Sequence, residues 1–227
     1  MIKHLAHGFT ALTLALASLA VPAAAQAAAA SPGDAHTFPL TYAVNEIPVA
    51  DESRTGYERT KFKHWNAGLD RGDGCHTRNE VLLTEATEAP TVVVGCKLSG
   101  GEWLSYYDEQ EVTDPAALDI DHMVPLAEAW DSGASAWDAK RREAYANDQD
   151  AATSLVAVTA RTNRSKADQD PSEWMPPAPS ATCRYLGEWV ATKLRWGLTA
   201  DQAEIDAIGV YAGGPCSEQV VHYVVAP

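Results

Sequence analysis

No C-x-x-C pair occurs in the chain, so its four cysteines lack the spacing of a structural zinc site. No H-E-x-x-H string occurs either, which removes the recognisable helix-borne zinc hydrolases that act, for example, on cell-wall material. There are no internal repeats. Beyond the N-terminal segment no stretch reaches the roughly 20 apolar residues that a membrane span requires. Positive charge is scarce: 17 Lys and Arg face 31 Asp and Glu, for a net charge of -14. A chain so acidic is poorly made for tight, processive binding of a polyanion, and the acidity reads as solubility outside the cell. The deficit is uneven, however. From Asp138 to Trp196 nine basic residues stand against eight acidic ones, so the negative excess lies elsewhere.

The first 30 residues read as a secretory signal peptide. Lys3 opens a weakly basic segment, Phe9 to Val21 is apolar, and small residues from Ala23 to Ala30 offer A-x-A cleavage sites. Cleavage is expected between Ala25 and Ala30, giving a secreted, extracellular protein with no membrane contact; a retained N-terminal anchor is the alternative. The remainder fits one domain of ordinary size. Residues 31–52 read as an extended lead-in, 53–216 as the domain and 217–227 as a tail. In an exported chain the even cysteine count implies two disulfides among Cys75, Cys96, Cys183 and Cys216. Three pairings are open, and Cys75–Cys96 with Cys183–Cys216 closes the most local loops.

Tyr57, Phe62, Trp65 and Leu69 recur at nearly helical spacing, which predicts an amphipathic helix over 55–69 with an aromatic stripe in the core. Residues 77–86 read as a helix with Thr77 as N-cap and Glu80 at the capping-box position. Thr91 to Gly95 is short and β-branched, so it reads as a strand, with 102–108 a possible partner. A strand over 117–122 follows, then a helical segment at 138–145, a strand at 155–158 and a helix at 159–167. After the Pro176, Pro177 and Pro179 break, two helices are expected at 183–196 and 200–211. Residues 219–225 are β-prone and read as an edge strand or a loose end.

Chemistry gathers at Asp119-Ile120-Asp121-His122-Met123-Val124-Pro125 and Asn163-Arg164-Ser165-Lys166. Taken singly, Asp121 and His122 would read as a turn and Asn163 as a cap. Together they are the parts of a one-metal phosphodiester-cleaving site. A carboxylate on Asp121 and an amide oxygen on Asn163 suit a hard cation, Mg²⁺ or else Mn²⁺. The His122 imidazole beside them is the candidate general base. Lys166 and Arg164 are candidates for binding the phosphates around the cleaved bond, against the alternative of a solvated helix face. Asp119 shares a strand face with Asp121 and either orients a ligand or closes the strand. Arg78 is a further phosphate candidate, though with Glu80 it can equally brace its helix.

The two strings resemble the HNH nuclease motif of the ββα-metal fold. They are similar to the HNH domain of RNA-guided CRISPR nucleases, with its Asp-x-Asp-His-x-Val-Pro and Asn-Arg-x-Lys pattern. Through Cys75-His76-Thr77-Arg78-Asn79-Glu80, Ala127-Glu128-Ala129-Trp130, Ala146-Asn147-Asp148 and Ser172-Glu173-Trp174-Met175-Pro176-Pro177 the wider chain resembles secreted bacterial HNH proteins related to the GmrSD nuclease domain. The resemblance implies an α+β fold, with a ββα-metal core embedded in a mostly helical, disulfide-bonded single domain. It implies Asp121 and Asn163 as metal ligands and His122 as base. The implied activity is endonucleolytic cleavage of nucleic acid, DNA before RNA, leaving 5′-phosphate and 3′-hydroxyl ends; little sequence specificity is expected because no separate recognition module is visible, and a monomer is expected. Two departures are visible: Ala152-Thr153-Ser154 occupy the place where an Asn often opens the second strand, with Asn147 the candidate for its loop-bracing role unless nothing fills it, and the tail after Cys216 runs beyond the family pattern. The rival reading is a non-catalytic extracellular binding module that keeps the scaffold.

Overall fold

The computed structural model describes residues 31–227. The expected signal peptide falls on residues 1–30 and so lies outside the described residues. Strand β1 (Ala35–Pro39) and the short helix α1 (Leu40–Ala43) come first, then a wandering segment with 3₁₀ turns. Helix α2 (Thr77–Glu85) leads into two hairpins, β2 (Thr91–Val93) with β3 (Lys97–Ser99) and β4 (Trp103–Ser105) with β5 (Gln110–Val112). Strand β6 (Leu118–His122), helices α3 (Leu126–Asp131) and α4 (Ala139–Ala146), and strand β7 (Leu155–Thr159) follow. Helix α5 (Ala160–Lys166) starts where β7 stops. The chain closes with α6 (Thr182–Trp196), α7 (Gln202–Ala212) and β8 (Val220–Val224). Among the described residues the fold is α+β, with four two-stranded antiparallel sheets among helices.

Strand β7 pairs with β6 in the register Asp119↔Val158, Asp121↔Val156 and His122↔Leu155. The Thr159 hydroxyl caps α5 by accepting from the Thr162 amide, so the turn from strand to helix takes no loop at all. The β6–β7 pair is buried on both faces. Leu118, Ile120, Leu155 and Ala157 pack with Val81, Leu82 and Trp103 under α2. Val156, Val158, Met123 and Val124 enter the main core around Tyr185, Trp189 and Val190 of α6. Burial of this breadth is what fixes the register of a strand pair whose own length is short.

Both disulfides join the expected partners, Cys75–Cys96 and Cys183–Cys216. Several other expectations are corrected. The lead-in and tail belong to the domain: β1 pairs with β8, and Leu40, Ala43, Val44 and Ile47 enter the main core with Val221, Tyr223 and Ala226. Residues 55–69 form no helix beyond a 3₁₀ turn at Arg59–Lys61; Phe62 is buried but Leu69 is exposed. The segment's amides are met from outside: the Asn147 side chain accepts from the Asn66 amide, and Glu80 accepts from Leu69 and Asp70. Glu80 therefore makes no capping box; His76 is the N-cap of α2. Gly68 has φ +68°, and a Cβ there would sit 2.2 Å from the Glu80 carboxylate, so glycine permits this approach. Residues 103–105 pair with β5 rather than with β2.

Under α3, α6 and α7 lies a polar cluster inside the apolar core. The carboxylates of Glu52, Glu128 and Glu204 come within 4.8 Å of one another. Lys193 is fully buried among them and donates to Glu128 at 2.9 Å, Glu204 at 2.6 Å, Ser132 at 2.9 Å and the Thr199 carbonyl at 2.9 Å. One ammonium cannot neutralise three carboxylates. Burial, reinforced by the charge of Glu128, pushes Glu52 up to about 8, and burial pushes Glu204 up to about 7. A carboxyl whose folded pKa is raised holds its proton more tightly folded than unfolded, so its stabilisation is complete at low pH and is lost as pH rises. The thermal midpoint is therefore expected to fall between about pH 4.5 and pH 8. Glu52→Gln should flatten that decline in a calorimetric series; an unchanged profile would remove Glu52 from the cluster's proton balance.

Candidate active site

Asp119 and Asp121 alternate with Ile120 along β6, so both carboxylates leave the strand on the face that α5 covers. On α5, Asn163 and Lys166 are three residues apart and share a helix face. Asn163 donates from Nδ2 to Asp119 Oδ2 at 3.3 Å, which leaves its Oδ1 with no donor among the described residues. Arg164 reaches the same Asp119 oxygen at 3.5 Å while staying 76% exposed. Asp119 thus aligns both side chains.

Asp121 is buried, and its Oδ2 takes two donors, the Tyr107 hydroxyl at 2.6 Å and Lys166 Nζ at 2.5 Å. Its Oδ1 takes none among the described residues. The Lys166 ammonium also donates to the carbonyls of His122 at 3.1 Å and Met123 at 2.7 Å. Its three protons are thereby matched by three acceptors. The rings of Tyr107, Tyr185 and Trp189 stand 5.9, 5.7 and 5.6 Å from the ammonium and supply further attraction. Burial pulls Lys166 down and Asp121 up, and their mutual attraction opposes both shifts.

The imidazole of His122 is clamped separately. Its Nε2 lies 2.9 Å from the Ala146 carbonyl. A carbonyl only accepts, so Nε2 carries the proton and the lone pair lies on Nδ1. No protein group among the described residues bonds Nδ1. Trp65 stacks on the ring at 5.5 Å, and Tyr145 lies parallel at 6.4 Å. Desolvation pushes His122 down to about 3, so the ring is neutral at ordinary pH. Asn147 ties these walls together: it donates to the Lys63 and Glu143 carbonyls and accepts from the Asn66 amide and the Thr77 hydroxyl. It therefore binds the segment that carries Trp65 to the helix end that carries Ala146.

Asp121, His122, Asn163 and Arg164 line one cavity of about 440 Å³, with Tyr57, Arg59, Ile120 and Asp168 among its other walls. Two residues expected at phosphate lie elsewhere. Lys166 is fully buried and saturated by Asp121 and two carbonyls, so it holds Asp121 and has no donor left for the cavity. Arg78 donates to the carbonyls of Pro115 and Leu118 and braces the entry to β6. Four neighbours had no signal as site residues in the sequence. Tyr107 comes from the turn between β4 and β5. Arg59 and Tyr57 come from the segment taken for a helix, and Trp65 belonged to a stripe assigned to the core. Only the aromatic character of Trp65 and Tyr57 pointed to burial beside something flat.

The model of the C-terminal domain of GmrSD restriction endonucleases matches residues 78–209. An uncharacterized secreted protein of Arthroderma benhamiae is 39% identical over 153 residues, covering 67% of this chain and 72% of its own length. That relative is fungal, so the likeness extends past the bacterial proteins suggested by the motif. No solved structure matches. The chain belongs to the GmrSD C-terminal domain family, a nuclease-related family.

Removing one partner of a buried ion pair leaves the other charge unmatched. Lys166→Ala should therefore cost about 3–5 kcal/mol of stability in a urea titration. Pairing Lys166→Met with Asp121→Leu should restore much of that loss. A single-variant loss near zero would mean that the pair is not buried in solution.

Proposed function

We propose that this chain is a secreted, metal-dependent HNH endonuclease that hydrolyses DNA phosphodiester bonds with little sequence specificity, its ββα-metal core formed by β6, β7 and α5. The observation that carries the reading is His122, whose Nε2 proton is fixed on the Ala146 carbonyl so that the lone pair is left on Nδ1, in a side chain that lines one cavity with Asp121 and Asn163. Family membership supports the nuclease class. Secretion is supported by the residue pattern at 1–30, the two disulfides and the secreted relative. Among the described residues no helix is long and apolar enough to cross a membrane.

The free oxygens fit a hard divalent cation. Asp121 Oδ1 and Asn163 Oδ1 are the protein atoms that would hold Mg²⁺ or Mn²⁺, an all-oxygen set with no thiolate or imidazole that would select zinc. Such an ion supplies neutralisation of the phosphate and the leaving oxygen. The protein contributes the rest. Tyr107 and Lys166 fix the Asp121 carboxylate through one oxygen and leave the other for ligation. Asp119 fixes the Asn163 amide in the same way. His122 Nδ1 takes a proton from the attacking water. The imidazolium so formed keeps its Nε2 bond to Ala146, and a phosphate anion beside the ring offsets the burial that otherwise disfavours its charge. Arg164 is an exposed cation at the cavity rim, placed for a neighbouring phosphate.

Plasmid cleavage by the oxidised protein is expected with Mg²⁺ or Mn²⁺ and is expected to stop in EDTA. His122→Ala should lower the rate by about 100-fold or more while leaving metal binding, read by calorimetry, close to wild type. Asp121→Ala should weaken metal binding itself. A folded sample that cuts neither DNA nor RNA in any divalent metal would favour a binding module on the same scaffold.

A further inference from the structure

We infer that Arg59 is the phosphate-binding cation of the cavity, holding the non-bridging oxygens of the phosphodiester that is cleaved. The inference rests on the nuclease reading and adds a residue that lies outside both motif strings and outside the matched span 78–209.

Lys166, the expected candidate, is sealed behind Asp121, so the cavity must draw its cation from elsewhere. Most nearby cations are already paired. Arg54 is engaged by Asp131 and Asp168, Lys63 by Glu143, Arg161 by Asp108, and Arg164 leans on Asp119. Arg59 lines the cavity and forms no ion pair among the described residues; its near neighbour is the neutral Tyr57 hydroxyl. Two carboxylates line the same cavity and could compete for Arg59: Asp168 is already held by Arg54, and Asp121 by Lys166.

The backbone under Arg59 is anchored. The 3₁₀ turn Arg59–Lys61 is closed by bonds from Lys61 to Glu58 and from Phe62 to Arg59, and Phe62 is fully buried against Trp130 and Tyr145. The anchored turn fixes the point at the cavity wall from which the exposed Arg59 side chain starts. Its planar fork matches two oxygens of one phosphate, which a lysine cannot do. The arrangement also fits the acidic chain: one unpaired arginine at the reacting centre gives local attraction without the long basic track of a processive binder.

The test uses the full mature chain in the His122→Ala background, so that bound DNA persists. Binding of a short fluorescein-labelled DNA is read by anisotropy in EDTA. Adding Arg59→Ala should weaken binding by about tenfold, and Arg59→Lys should recover part of the loss. Arg161→Ala, exposed and outside the cavity, should change little. With His122 intact, Arg59→Ala should also slow hydrolysis of bis(4-nitrophenyl) phosphate, which has a single phosphate and no neighbours. Equal binding with and without Arg59, or undiminished hydrolysis of that ester by Arg59→Ala, overturns the assignment while leaving the nuclease reading in place. Absence of DNA binding by His122→Ala together with absence of plasmid cleavage by the wild type overturns both.

Discussion

A single ammonium group holds the centre of this molecule together. Lys166 ends α5, yet its charge sits in the dry interior between β6, α5 and α6, where it meets Asp121, two main-chain carbonyls and three aromatic faces. Desolvating such a charge is expensive, and only complete coordination makes it tolerable. Every element that contributes an acceptor or a ring is therefore restrained together. The strand cannot slip by one residue, because the slip would present Ile120 or His122 to the ammonium in place of Asp121. The short helix, too brief to be stable alone, is fixed to the strand at its C-terminal end by the same contact and at its start by the Thr159 cap. Precision at Asp121 and Asn163 follows from this rigidity.

The imidazole is held by a different set of parts. Neighbouring residues on a strand leave on opposite faces, so His122 faces away from Lys166 and needs its own support. The end of α4 provides a carbonyl and Trp65 provides a plane, with Asn147 joining the two. Trp65 takes a left-handed backbone conformation, φ 58°, that costs energy for a large side chain and persists because the surroundings impose it. The site is thus assembled from two independent braces that meet at adjacent residues of β6.

The elements that the sequence announced are those with a repeating or local cause. Strand β7 is short, apolar and rich in β-branched residues, β6 is closed by the nearby Pro125, and α6 follows the proline break at 176–179. The cysteine pairing was readable from loop length. The segment from Thr55 to Leu69 was misread because its aromatic spacing mimics a helix while its backbone is satisfied by Asn147 and Glu80, distant residues that no local pattern reveals. For the same reason Asp121, His122 and Asn163 could be brought together on paper, whereas Tyr107 and Arg59 could not. A motif marks the residues that carry chemistry; the groups that orient them arrive from remote turns. Lys166 shows the opposite error, a charged residue on a short helix taken for surface when three acceptors await it inside.

The pairing of β1 with β8 joins residues such as Thr37 and His222, 185 positions apart, and the helix after β1 lies in the main core. Contacts so distant in sequence form late and slowly. Strand β1 therefore has no partner until β8 has been made, and α1 has no settled bed. The main core, which joins Leu40 and Ala43 to Val221, Tyr223 and Ala226, therefore closes only after β8 has been made.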